Sequence, residues 1–302
     1  MLQLGAALTV TTSGGNDYAP FRRALRRCAT SIGRPLPWVG HRDPWAVLVS
    51  EVMLQQTQTS RVEEPWQRFL TAFPTPQACA DAPLAAVLRA WAGLGYHRRA
   101  RALHDAARVI RDQFNGVVPH NAAQLRLLPG VGEYTAHAVA SFSFGERVAV
   151  LDTNVGRVLA RALANRSLSR TEARALAYEV LPRDHVAEFN QAMLDLGAQF
   201  CRAKPQCVEC PVAQSCRWHR DGGRDPAPTS AAVSRPQSRF QGSDRQLRGR
   251  ALAALRDAPR TKRELHQLLE SEDGMRNDSV IAGLLSDGLV ERKGSRFRLA
   301  ES

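Results

Sequence analysis

Leu128-Pro129-Gly130-Val131-Gly132-Glu133-Tyr134-Thr135-Ala136 reads as a tight turn between two helices, at about 121–127 and 133–144. Pro129 opens the turn, and its two glycines permit positive φ and let a second backbone come close. Free N–H groups at the start of the following helix can hold a phosphate without reading base sequence. The helix after the glycines is apolar and has no lysine in the Walker position, which argues against a nucleotide-triphosphate loop. A glycine turn between helices is common, and taken alone it names no ligand.

On both sides of this turn the first two hundred residues read as helices joined by short Pro/Gly connections. Asp43-Pro44 is an N-cap followed by proline at the first helical position. Trp45, Leu48, Val49, Val52 and Met53 then recur at helical spacing. Further helices are predicted at about 60–72, 83–92 and 97–114, then 154–164, 171–181 and 189–200. No convincing period-two alternation interrupts them, so this region is expected to be all-α.

After Cys216 the composition changes. Residues 217–243 are rich in Arg, Ser, Pro and Gly and read as a basic linker, and Arg217 to Arg263 holds twelve Lys+Arg against four Asp+Glu. A helix is predicted at 246–257, a second from Thr261, whose spacing to Glu264 is that of a capping box, and a third at 277–286, ending at Gly288. Leu289–Lys293 and Arg296–Ala300 flank Gly294-Ser295, a two-residue hairpin signal. Three helices and a basic hairpin resemble a small winged-helix-like α+β module. Residues 1–19 lack a basic n-region and read as a disordered lead-in rather than a signal peptide.

The 302 residues carry 41 Lys+Arg against 29 Asp+Glu, a net charge of +12. Such a surplus suits a polyanionic partner, nucleic acid being the commonest. The only lysines are Lys204, Lys262 and Lys293, so no Schiff-base lysine is available in the first two hundred residues. No apolar run reaches the length of a membrane span.

Two carboxylates stand out. Glu51, with Gln55 and Gln58 at i+4 and i+7, makes a polar stripe beside an apolar helix face, a pattern that a solvated helix edge also produces. Asp152 follows the apolar run Val148–Leu151 and opens a helix, as an ordinary N-cap would; that position also favours its ionised form. Cleaving a glycosidic bond needs one carboxyl that donates a proton and one that stays anionic beside an oxocarbenium-like centre. Glu51 suits the first role and Asp152 the second.

Four of the six cysteines fall in sixteen residues, as Cys201-x5-Cys207-x2-Cys210-x5-Cys216. Four thiolates in one loop can ligate a [4Fe-4S] cluster or zinc. Zinc sites of four cysteines usually pair two short hooks, and only Cys207/Cys210 is one here. Cys28 and Cys79 are isolated on helical segments and read as core thiols.

In chain order, Leu36-Pro37-Trp38, SEVMLQQTQ at 50–58, Gly93-Leu94-Gly95-Tyr96, LPGVGEYTA at 128–136, LDTNVGRV at 151–158, FNQAMLDLGA at 189–198 and the cysteine loop resemble the adenine DNA glycosylase (MutY) family of the endonuclease III, helix-hairpin-helix superfamily. The resemblance covers about residues 20–218. It implies a two-lobed helical fold: a six-helix barrel at 38–146 and an iron-sulfur cluster lobe of 20–37 with 147–220. The linker at 221–243 and the winged-helix-like module at 244–302 would follow. The substrate would be double-stranded DNA with A:8-oxoguanine or A:G mispairs, the adenine being flipped from the stack. Glu51 matches the general acid that protonates adenine N7, and Asp152 the carboxylate that stabilises or traps the C1′ cation. Gln55 and Tyr96 match residues that wedge into the duplex; Tyr134 and Asn154 match pocket residues. Gly130, Val131 and Gly132 match the phosphate-gripping hairpin, and Cys201, Cys207, Cys210 and Cys216 the ligands of one structural [4Fe-4S] cluster.

Tyr134 stands where bifunctional relatives carry the Schiff-base lysine, which implies a monofunctional glycosylase without efficient strand cleavage. A thymine or uracil mismatch glycosylase shares that tyrosine and the same carboxylate logic, and a non-catalytic cluster-containing DNA-binding regulator is the reading from another class. The QQTQ run favours adenine. This chain departs from the family in its first cysteine spacing, x5 for the usual x6, and in having a tail too short for the Nudix-like domain that members commonly carry. A monomeric, cytoplasmic, nucleoid-associated protein without a membrane anchor is expected.

Overall fold

The computed structural model describes residues 17–231, 233, 239–269 and 273–302. Most of the expected lead-in, residues 1–16, and part of the expected linker lie outside the described residues. The helices are α1 (Ala19–Cys28), α2 (Pro44–Leu54), α3 (Glu63–Ala72), α4 (Pro76–Asp81), α5 (Leu84–Ala90), α6 (Arg98–Gln113), α7 (Ala122–Leu125) and α8 (Glu133–Phe144). They continue with α9 (Thr153–Val158), α10 (Arg170–Val180), α11 (Val186–Gln199), α12 (Arg217–Asp221), α13 (Asp244–Asp257), α14 (Lys262–Leu269) and α15 (Gly274–Ser286). The strands β1 (Arg260–Thr261), β2 (Val290–Lys293) and β3 (Arg296–Leu299) are confined to the C-terminal module. Among the described residues no helix is long and apolar enough to cross a membrane.

The chain divides into two compact units, one of residues 1–35 with 145–235, the other of 36–144 with 236–302. In the second unit, α2 is buried along its whole length from Trp45 to Met53. Asp43 caps it by accepting the Trp45 N–H at 3.1 Å, and Pro44 occupies the first turn. The indole of Trp45 donates to the Phe73 carbonyl and that of Trp66 to the Ala46 carbonyl, each at 2.9 Å, so two large aromatics enter the core with their polar atoms satisfied. The apolar stripe expected on α2 is therefore a helix buried all round, as befits a central rod wrapped by its neighbours. The helix stops at Leu54, where Gln55 turns extended and Gln56 takes φ +57°. Gln58 thus falls off the helix, and the expected stripe reduces to Glu51 and Gln55.

Helix α4 was not expected from periodicity. Its signals are Thr75, which accepts the Ala78 N–H at 3.1 Å, and Pro76 at the first helical position. Residues 159–164, expected to continue α9 as α-helix, wind instead as a π-turn that ends at Asn165 with φ +49°.

The C-terminal module has the predicted three helices and hairpin, and β1 adds a third strand in the order β1-β3-β2, all antiparallel. Val290 pairs with Leu299 and Lys293 with Arg296, so Gly294-Ser295 forms the two-residue turn. The Thr261–Glu264 capping box is present, with Thr261 N–H donating to Glu264 at 2.6 Å and the Glu264 N–H to Thr261 Oγ1 at 3.3 Å. The module belongs to the same compact unit as the barrel. Leu84 N–H donates to the Glu301 carbonyl at 3.1 Å, Arg89 to the Arg256 carbonyl at 3.4 Å, and Arg101 to the Gly288 carbonyl.

In the first unit, α11 holds the segment before α9. Asn190 donates to the Val148 carbonyl at 2.9 Å and accepts the Val150 N–H at 3.3 Å, standing in for the strand neighbour this extended stretch lacks. Asp195, almost fully buried, takes a 2.6 Å bond from Arg34. Part of the stretch expected to be linker is fixed to this unit. Ala231 N–H donates to the Leu168 carbonyl at 2.9 Å, Leu168 N–H to Ser230 Oγ at 3.1 Å, and Ala227 and Ser230 are buried.

Candidate active site and cysteine pocket

Glu51 projects from the middle of α2 and is 5% exposed, which removes the solvated-edge reading. The end of that helix is gathered by a side chain that the motifs did not single out. Arg99, in the first turn of α6, donates to the carbonyls of Val52 at 3.0 Å, Met53 at 2.8 Å and Gln55 at 2.5 Å. Its other nitrogen reaches Thr57 Oγ1 at 3.0 Å and the carbonyls of Leu94 and Gly95 at 3.3 Å. One guanidinium thus caps the helix that bears Glu51 and pins the Gly93–Tyr96 loop beside it. Burial lowers its pKa to about 10, which leaves it charged at neutral pH.

Gln55 leaves the end of α2 toward the hairpin, donating to Thr135 Oγ1 at 3.2 Å and to the Gly130 carbonyl at 3.4 Å. Gly130 has φ +74°, and a Cβ there would lie 2.6 Å from the Ala102 Cβ on α6. Of the two hairpin glycines, only Gly130 has the positive φ expected. Gly132 is exposed and nothing lies within 4 Å of where its Cβ would stand. Val131 is buried and seats the hairpin, while Tyr134 is half-buried on the first turn of α8. Tyr96 is also half-buried and holds φ +47°, an uncommon conformation for a large side chain. The guanidinium of Arg99 lies 5.3 Å from its ring centroid.

In the other unit, Asp152 is the N-cap of α9. One carboxylate oxygen accepts the Val155 N–H at 2.8 Å and the other the Asn154 side-chain amide at 2.6 Å. Burial nevertheless moves its pKa upward, against the pull of those two bonds and of Arg157. The bonds at the helix start favour the ionised form, as expected of that position, but they oppose the effect of burial without reversing it. Arg157, one turn on, donates to Asn154 Oδ1 at 2.6 Å, the Gly197 carbonyl at 2.9 Å and the Cys201 carbonyl at 2.7 Å. Gly197 belongs here for steric reasons, since a Cβ would come within 2.6 Å of the Asn154 carbonyl oxygen.

Cys201, Cys207, Cys210 and Cys216 line one pocket, walled by Val158, Leu196, Phe200 and Val212. They form no disulfide. Burial, reinforced by the other three sulfurs, pushes the Cys210 thiol up to about 11. Four thiols this close resist ionising together unless a cation joins them, so the donor set fits a metal group. Among the described residues no set of three His, Cys, Asp or Glu side chains closes on a single-ion position. Arg161, 1% exposed, braces the loop by donating to the Arg202 carbonyl at 2.6 Å, the Ala203 carbonyl at 3.2 Å and Cys201 Sγ at 3.5 Å. It also makes a two-pronged ion pair with Asp225 at 2.8 and 2.6 Å. Cys28 and Cys79 are buried, as expected of core thiols.

Comparison with known proteins follows the same lines. The chain is 44% identical over 278 residues to the adenine DNA glycosylase of Mycolicibacterium smegmatis, covering 88% of this chain and 92% of that one. The chain belongs to the adenine DNA glycosylase family. Over 216 residues it is 40% identical to the adenine DNA glycosylase of Homo sapiens, which covers 67% of this chain and 40% of the human protein. The HhH-GPD superfamily of base excision DNA repair proteins matches residues 49–183. Among solved structures, a thermostable thymine-DNA glycosylase superposes with a TM-score of 0.63 at 26% identity, covering 68% of this chain and 98% of the other. A trapped endonuclease III–DNA covalent intermediate gives 0.56 at 27% identity, covering 67% and 99%. The HhH-GPD match takes in Glu51, Gln55, Tyr96, the glycine hairpin, Asp152 and Asn154 of this adenine DNA glycosylase family member, and ends before the cysteines.

Proposed function

We propose that this chain hydrolyses the N-glycosidic bond of adenine mispaired with 8-oxoguanine or guanine in double-stranded DNA, without efficient strand cleavage. The observation that carries the reading is Glu51, a carboxyl 5% exposed on a helix whose other buried residues are apolar apart from Ser50. A group that must deliver a proton works from a dry setting, and Glu51 would protonate adenine N7 so that the base leaves neutral. Asp152 would face the positive charge that develops at C1′, with Asn154 and the Val155 N–H fixing its orientation. Water then completes the hydrolysis. Tyr134 in place of a lysine leaves no amine there to open the sugar, which supports a monofunctional enzyme.

The exposed Gly132 and the start of α8 would take a phosphate of the DNA backbone, and the surplus of arginine supports double-stranded DNA as partner. Cys201, Cys207, Cys210 and Cys216 would hold one [4Fe-4S] cluster, with zinc as the alternative. The group would supply order to a loop that Arg157 and Arg161 already grip. The protein is expected to act as a cytoplasmic, nucleoid-associated monomer.

The test is base release from duplexes carrying A:8-oxoguanine, A:G, T:G or U:G, scored by alkaline cleavage of abasic sites. Adenine release abolished by Glu51→Gln, with lesion binding intact, is the expected result. The likeness to a thymine-DNA glycosylase gives a second reading, and release of thymine or uracil but not adenine would establish it. DNA binding with no release from any duplex would point to a regulator instead.

A further inference from the structure

Within the barrel unit, the segment that opens α6 is clasped by the C-terminal module. Arg98 pairs with Asp287 at 3.4 Å, and Arg101 donates to the Gly288 carbonyl. Tyr96 lies at the edge of this junction. Its loop turns on two glycines of positive φ, Gly93 at +88° and Gly95 at +67°, and its backbone is held by Arg99 and Trp91, which leaves the ring itself to be oriented. The ring is steadied from outside the loop. Arg245, from the first turn of α13, donates to the Tyr96 hydroxyl at 2.5 Å, and its guanidinium lies 5.5 Å from the ring centroid. Phe240 stands 5.9 Å from the same guanidinium. Arg99, which lies 5.3 Å from the Tyr96 ring, is the side chain that caps the helix carrying Glu51.

We propose that Arg245 is a positioning and specificity-determining residue: it sets the Tyr96 ring from the C-terminal module and so brings that module into discrimination of the base pair engaged. The inference rests on the glycosylase reading. An aromatic side chain held at a fixed angle can stack on or wedge against a base step, whereas an unheld ring first loses rotamer freedom. The hydroxyl bond joins residues 149 positions apart in sequence.

The experiment uses the full chain and a duplex whose target nucleotide is 2′-fluoroadenosine, which resists excision. Dissociation constants are measured with this nucleotide opposite 8-oxoguanine and opposite thymine. Arg245→Ala and Tyr96→Phe should each lower the ratio of the two affinities about tenfold, the loss expected for one charge-assisted hydrogen bond. The double variant should lose no more than Arg245→Ala alone, because the hydroxyl that Tyr96→Phe removes has by then already lost its arginine partner. Arg245→Lys, which keeps a cation and a donor, should recover part of the ratio. A ratio within about twofold of wild type for Arg245→Ala, or losses that multiply in the double variant, would overturn the proposal. Should Arg245→Ala not fold, Tyr96→Phe, which removes one hydroxyl, carries the same test. A wild-type chain that prefers the lesion duplex yet releases no adenine from a normal substrate would count against the enzyme reading, while the ratios still judge Arg245.

Discussion

The two hairpin glycines differ in their surroundings: Gly130 is crowded by α6, and open space surrounds Gly132, where the proposed function puts a phosphate. Gly130 cannot take a Cβ without displacing Ala102 of α6 and straining a left-handed backbone, so Gly130→Ala should lower stability by about 2 kcal/mol, seen as a drop in thermal midpoint. Gly132→Ala should leave that midpoint almost unchanged and weaken DNA affinity, since open space surrounds the site. Glu51→Gln and Asp152→Asn should each slow single-turnover excision at least about a hundredfold. In the proposed mechanism Asp152 acts ionised, and burial raises its pKa, so the acid limb of the rate profile should lie higher than a solvated aspartate would place it. Asn154→Ala removes one of the bonds that oppose the shift and should move that limb to still higher pH. The helical setting of Glu51, the N-cap of Asp152 and the clustering of the cysteines were legible in the sequence, because each sits in a recognisable local frame. Arg99, Arg157 and Arg161 were not, since what a long side chain grips on another element leaves no trace in periodicity or spacing.

Among the elements, α2 and the loop after α11 show what pattern reading reaches. The cap, proline and apolar content of α2 were plain, but burial on every side depends on what packs around it and no single helix encodes that. The C-terminal helices and hairpin were legible from a capping box and a Gly-Ser turn; the two-residue β1 was too short to register. For the cysteine loop, the decisive brace is the pair Arg161–Asp225, which links the π-turn to a stretch that composition alone marks as linker. Removing one partner leaves the other charge without its counterpart, so Arg161→Met should destabilise the protein by about 3 kcal/mol in denaturant unfolding. Gly197→Ala should act on a neighbouring element: the added methyl pushes on Asn154 and should slow excision as well as lower stability.

Considered whole, the chain combines a net charge of +12 with a C-terminal module that is part of the barrel's own unit. Deleting residues 243–302 should therefore weaken DNA binding and also lower the thermal midpoint, because the contacts to Leu84, Arg89 and Arg101 go with it. Binding of the intact chain should fall steeply with salt, and the truncated chain should show a shallower slope. The bond from the Leu84 amide to the Glu301 carbonyl has a practical corollary. That amide is a native gauge of whether the module is seated: deuterium should enter it slowly while the chain end rests on α5 and quickly once it lifts away. Exchange at Leu84, followed by mass spectrometry with and without duplex, would time the lifting without a dye or a tag.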